Sequence, residues 1–385
     1  MQEKGLNFKY MALTLTNTRK SVRSTNIELL RIVAMLFIIL SHCFCHGNFS
    51  FNAGQFPVSR FLYHFSVIGG NFGVDLFVLI SGYFLITGNK LVVAKKALIL
   101  WEQLFFYSVA IFTVFIVFYP SLFSLKEVLR LFLPITHGGW WFASTYFVLF
   151  IIHPFLNKLL LALSKKQYQF YLAVIIFLWS FLPTIIHNDL QANELIQFIM
   201  LYSISGYIRL YKNTQKIKTW IFVALSSFLY LLTYLSEVVL MFAETKIEFL
   251  SPYKTIFIDR YKIPVLFSAV FLFLAFTQIK IKLNMFINTV ASSTFGIYLI
   301  HDHPRVREYI WTDLFKINTV RGVFIIPYTL FVVITVFTVC SIIDLIRQNT
   351  FGVLFTRINK KVFSIVSKPI NFIGKTIRSF FGLLD

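Results

Sequence analysis

The sequence predicts an all-α integral membrane protein: a bundle of about ten transmembrane helices with both termini cytoplasmic. Three observations carry this. Of 385 residues, 57% are hydrophobic and only 14% charged, where a soluble globule is about one-quarter charged. Apolar runs long enough to cross a bilayer recur along nearly the whole chain. The 36 Lys and Arg, which give a net charge of +20, stand in short clusters between those runs. Such clusters are orientation signals rather than the footprint of a nucleic-acid binder, so no nucleic-acid partner is expected.

Residues 1–25 are mostly polar and carry five basic side chains. No small-residue cleavage site follows the first apolar run, so they read as a cytoplasmic N-terminal segment and not as a signal peptide. The membrane domain spans 26–346, with crossings expected at roughly 27–46, 72–88, 97–119, 140–161, 170–186, 193–210, 219–241, 263–279, 285–301 and 322–346. With the N-terminus inside, 24 basic residues fall in inner segments and 11 in outer loops, Arg31 lying within a span. An even number of crossings then returns the C-terminus to the cytoplasm. Residues 347–385 alternate apolar and basic positions and are expected to lie as an amphipathic tail on anionic inner-leaflet lipids. No stretch leaves room for a soluble domain, and no internal repeat is found. Cys43 and Cys45 share one apolar run, which gives no disulfide framework. Abundant Phe, Ile and Lys fit an AT-rich bacterial genome, and hence a bacterial plasma-membrane location.

The first crossing, ELLRIVAMLFIILSHCFCHG (28–47), carries Arg31 and His42. Eleven residues at about 100° each bring them within about 20° of one helical face, about 16 Å apart along the axis. A charge within a span costs about 2.5–3.5 kcal/mol and almost always faces a bundle interior or a cavity. One reading has Arg31 snorkel to phosphates, paired with Glu28 at i,i+3, while His42 is a core residue. The other is a polar track, with an anionic ligand at Arg31 and proton transfer at His42. His42 and His46 stand at i,i+4, but no further ligands at metal spacing are visible, so no metal is expected in HCFCH.

The N-terminal Asn26–Leu30 followed by Arg-x10-His resembles the membrane acyltransferase type 3 family. GVDLFVLISGYFL (73–85), WWFASTYFVLFIIHPFLNKLL (140–160) and FGIYLIHDHPRVREYIW (295–311) resemble further spans of that family, in order, so the likeness covers about residues 25–346. The resemblance implies transfer of an acyl group, usually acetyl from cytoplasmic acetyl-CoA, to a carbohydrate hydroxyl at or beyond the membrane. Acetyl-CoA would be a cosubstrate, with no bound cofactor. The acceptor would be a surface polysaccharide or its lipid-linked repeat unit, and polysaccharide-assembly proteins would be partners. His42 matches the essential histidine of the family and Arg31 its companion. Imidazole can take the proton of an attacking hydroxyl, or carry the acetyl group itself. A guanidinium can grip CoA phosphate with two parallel hydrogen bonds. Lys95 and Lys96 fall where the family often has CoA-handling arginines, although positive-inside topology explains them equally.

Among the other intramembrane polar residues, Asp75 could orient His42 or bind an acceptor hydroxyl. Ser81-Gly82 reads as close helix packing. His301, Asp302 and His303, with Arg305, stand where the ninth span meets the outside and could bind the acceptor. Trp140 and Trp141 read as an interfacial belt or as a sugar-stacking platform. The competing class is a transporter or flippase of lipid-linked saccharide, for which ten spans and intramembrane charges are equally natural. It should show repeated halves and matching broken spans, and neither is seen.

Overall fold

All regular structure in the described residues is helical, as lipid requires of backbone groups that must find partners within their own segment. The computed structural model describes residues 24–352 and 355, except 53, 89–92, 187, 189, 212–216, 248 and 250–255, and without the side chains of 93–95 and 122. The N-terminal segment up to 23 and the tail beyond 355 lie outside the described residues, so the amphipathic-tail expectation does too.

The helices, in chain order, are α1 (Thr25–Cys45), α2 (Val58–Leu85), α3 (Val93–Phe118), α4 (Leu125–Leu131), α5 (Trp141–Ala162), α6 (Lys165–Ile186, with a π-helical turn at Phe177–Phe181) and α7 (Glu194–Tyr211). They continue as α8 (Thr219–Ala243), α9 (Ile263–Gln278), α10 (Met285–Ser292), α11 (Thr294–His301), α12 (Pro304–Glu308) and α13 (Ile325–Asn349). Seven helices are long and apolar enough to cross a membrane: α1, α2, α3, α5, α6, α8 and α13. The other three expected crossings coincide with less regular elements. The α7 helix is diluted by Glu194, Gln197 and Arg209, α9 has 16 residues, and 285–301 is divided at Ser293 into two eight-residue helices.

The second span starts much earlier than its expected residue 72. Polar residues between 58 and 71 hide it in a hydropathy reading, but the fold pairs them. Arg60, 4% exposed, forms an ion pair with Glu244 at 2.5 Å. The Asn71 amide donates to the Ile258 carbonyl.

The bundle is built around α1 and α2. In their most apolar stretches 56% and 67% of residues are buried, against 17–33% in the other five long helices. Those outer helices instead expose large apolar side chains such as Phe118, Phe155 and Phe331, as lipid-facing surfaces do. Glycines let α2 approach α1: a Cβ at Gly70 would strike the Ser41 hydroxyl, and one at Gly73 would sit 2.7 Å from the Ala34 carbonyl oxygen. Farther along α2, a Cβ at Gly82 would lie 2.9 Å from Cα of Tyr202, so the close packing expected there is against α7.

Polar contacts define one end of the bundle. Thr25 Oγ1 accepts from the Asn284 N–H, and the Asn26 amide donates to the Phe276 carbonyl. The start of α1, the end of α9 and the start of α10 therefore meet at one end. Near the end of α13, Gln348 bonds Ser292, and Asp344 accepts from Tyr107, Arg347 and Gln348. The last helix thus finishes in the half of the molecule where the first begins.

Candidate active site

The side of α1 that carries Arg31 also carries Met35, Ile38 and His42, at i, i+4, i+7 and i+11. Met35, Ile38 and His42 line a small apolar cavity with Val74 and Phe77 of α2, Trp141 and Phe142 of α5, and Phe295 and Tyr298 of α11. Its volume is about 30 Å³, room for about two waters or a group of a few heavy atoms. At the other end of the stripe, Arg31 pairs with Glu28 at 3.4 Å, the i,i+3 contact expected from sequence. Its side chain remains 27% exposed.

His42 meets His301. His42 Nδ1 lies 3.0 Å from His301 Nε2, and His301 Nδ1 lies 2.6 Å from the Ile297 carbonyl oxygen. A carbonyl only accepts, so His301 Nδ1 carries its ring's proton. In neutral rings His301 Nε2 is then an acceptor, His42 Nδ1 donates to it, and His42 Nε2 holds the bare lone pair. The carbonyl thereby fixes the tautomer of the neighbouring imidazole through one intervening ring. Asp302 adds a carboxylate: its Oδ1 is 3.5 Å from His42 Nδ1, 3.6 Å from His46 Nε2 and 3.6 Å from an Arg307 nitrogen. It is 1% exposed and placed to stabilise a proton gained by His42.

Several sequence expectations change place. His301 and Asp302 are buried against His42 rather than presented to an acceptor. Asp75 makes no hydrogen bond to His42: its Oδ1 accepts from Gln197, whose own Oε1 accepts from Arg260 Nε. Trp140 is neither belt nor platform, being 1% exposed with its indole N–H donating to the Leu299 carbonyl. It braces α11. Trp141 is 40% exposed, lines the His42 cavity and carries the Arg260 guanidinium 4.5 Å over its ring. His303 and Arg305 line a separate cavity of about 180 Å³ with Ser108, Glu127, Arg130 and His137. Burial, with Arg305 and Arg307 beside it, holds the His303 imidazole down to about 4, so it is neutral near pH 7. Lys96 is exposed at the start of α3, and the Lys95 side chain lies outside the described residues.

The ground for expecting no metal also changes. Folding brings Asp302 to the two histidines, so His42, His46 and Asp302 offer ligand atoms within 4.8 Å of one another. The hydrogen bond to His301 nevertheless puts a proton on His42 Nδ1, the nitrogen nearest Asp302. A metal ion held by the trio through that nitrogen would have to displace the contact with His301. His46 was visible only through its i,i+4 spacing from His42, and Arg307, Gln197 and Arg260 had no signal in the sequence beyond being polar.

The described residues thus form a multi-helix bundle with an oriented imidazole on the wall of a small apolar cavity, and the class of protein follows from its family. Residues 24–346 match the family model described as an acyltransferase domain, and the chain belongs to the membrane acyltransferase type 3 family. The match covers α1 through nearly all of α13, and family and helices together make this a multi-pass membrane acyltransferase. Searches of curated proteins and of solved structures gave no match.

Proposed function

We propose that the protein moves an acetyl group from cytoplasmic acetyl-CoA to a hydroxyl of a cell-surface polysaccharide or its lipid-linked precursor, within a bacterial plasma membrane. The observation that carries this reading is the α1 stripe: a guanidinium at one end, an oriented imidazole at the other, and a narrow apolar cavity beneath the imidazole. Arg31 holds a phosphate of CoA where the donor enters. The pantetheine arm follows the apolar stripe past Met35 and Ile38, and the acetyl group occupies the cavity beside His42. The small apolar cavity beside His42 suits an acetyl group.

His42 Nε2 takes the proton of the attacking hydroxyl as oxygen bonds to the thioester carbon. The carbon–sulfur bond then breaks, and the proton passes to the departing thiolate. Nε2 could equally receive the acetyl group before handing it to the hydroxyl, with the same proton balance. In both routes Asp302 stabilises the charged ring and His301 keeps Nδ1 occupied.

The test uses purified protein in nanodiscs, with radiolabelled acetyl-CoA and de-O-acetylated host polysaccharide. His42→Ala is expected to lower turnover by about 10²–10⁴-fold without loss of the folded protein. Arg31→Lys keeps the charge but loses the planar fork, so its main effect should be a raised KM for acetyl-CoA. Near-wild-type transfer in both variants would defeat the assignment.

A further inference from the structure

Trp141 joins the His42 cavity to a second one. Its ring lines the first, and the Arg260 guanidinium stacked on it lines the second. The second cavity holds about 190 Å³, roughly six times the first, among Trp179, Asn193, Glu194, Gln197, Arg260 and Tyr261. Its chemistry is mixed: two aromatic rings, two amides, a carboxylate and a guanidinium. An acyl chain would leave those polar groups unpaired, and Glu194 disfavours a simple anion. A sugar ring fits the set, because its C–H face packs on an aromatic ring while each hydroxyl both donates and accepts.

The polar wall is built from the core outward. Asp75 and Gln197 are 0% and 3% exposed, and Gln197 Nε2 donates to Asp75 Oδ1 at 3.1 Å. Arg260 Nε donates to Gln197 Oε1 at 2.8 Å, which fixes the plane of the guanidinium. Asp75 Oδ2 is buried with no hydrogen-bond partner, a polar atom that this wall's own contacts do not satisfy. Glu194, half exposed, reaches Arg260 at 3.4 Å from the first turn of α7. Trp179 sits in the π-helical turn of α6, where an extra residue re-aims the side chains. The loop between α6 and α7 holds Leu190 and Gln191 at φ of 47° and 60°, a left-handed conformation that costs energy for residues with side chains.

We propose that this cavity is an acceptor subsite that holds one sugar ring of the glycan while a hydroxyl of a neighbouring part of that glycan reaches past Trp141 to His42. The inference rests on the transfer reaction proposed above. It assigns Trp179 and Arg260 to acceptor binding and gives Asp75 and Gln197 a positioning role.

The probe is the host polysaccharide, de-O-acetylated with mild alkali and cut to short oligosaccharides, with the full-length protein in nanodiscs. Trp179→Ala and Arg260→Gln are each expected to raise the KM for the oligosaccharide about three- to tenfold, leaving the KM for acetyl-CoA unchanged. Trp179→Phe should recover most of the loss, which a merely structural role would not predict of acceptor KM alone. Acceptor KM values within twofold of wild type in both variants would overturn the subsite. If the wild type transfers no acetyl group to this probe, the transfer reading fails by itself, and quenching of tryptophan fluorescence by the same oligosaccharides decides the subsite. Quenching lost in Trp179→Phe and weakened in Arg260→Gln would support it. Absence of binding by the wild type would overturn it.

Discussion

His301 is wholly buried, and both of its ring nitrogens are engaged, one by the Ile297 carbonyl and one by His42. In the proposed reaction it would therefore act through His42 rather than on substrate. His301→Ala removes the acceptor that holds His42 Nδ1–H, releasing the wrong tautomer. The expected result is a fall in kcat of about 10²-fold or more with the KM for acetyl-CoA unchanged. His301→Gln should retain part of the rate, because its amide oxygen can accept the same proton. Equal kcat in wild type and His301→Ala would show that the contact is only packing. Arg31 and His42 were legible in the sequence because they share one helix, where an 11-residue spacing fixes their relation. His301 and Asp302 were visible as polar residues and read as acceptor ligands, and the fold sets them against His42. That partner is 259 residues from His301 and 260 from Asp302, and nothing local says which way α11 turns.

At the scale of elements, the pairing of α1 with α2 shapes the His42 cavity, since His42, Met35 and Ile38 come from one helix and Val74 and Phe77 from the other. Gly73→Ala would force its new methyl against the Ala34 backbone carbonyl, which cannot swing aside as a side chain could. It is expected to cost about 1–3 kcal/mol and lower the thermal unfolding midpoint of the detergent-solubilised protein. A midpoint equal to wild type would mean that the two helices part without penalty. The small residues of α2 were readable as packing signals in the GVDLFVLISGYFL stretch, but the first half of the helix was not. Arg60, His64 and Asn71 look like loop residues until Glu244, Glu237 and the Ile258 carbonyl are seen opposite them.

For the whole molecule, the number of crossings decides where the ends of the chain lie. Seven crossings would leave the termini on opposite sides of a membrane, and ten would leave them on one side. The distribution of basic residues points to an even number. Reporter fusions at the two termini should both report the cytoplasm. An extracytoplasmic signal from either would remove the ten-crossing arrangement and, with it, the assignment of Arg31 to the cytoplasmic entrance. Hydropathy made the long helices legible. The short and broken ones were marginal because α7, α9 and α10–α11 are buttressed by neighbours and need less apolar surface of their own.

The apolar pinch between Arg31 and His42 has a further consequence. A catalyst that draws its donor from one compartment and its acceptor from another runs a path through the barrier that separates them. Such a path threatens to short-circuit the cell, since each ion that slips through dissipates about 2.3 kcal/mol per 100 mV of potential. Walls of Met35, Ile38, Val74, Phe77 and Phe295 leave too little polar surface to support a continuous thread of water, and hydrophobic constrictions of that kind dry out spontaneously. In the proposed reaction, the side chains that surround the acyl group would thus also keep the membrane electrically sealed around it.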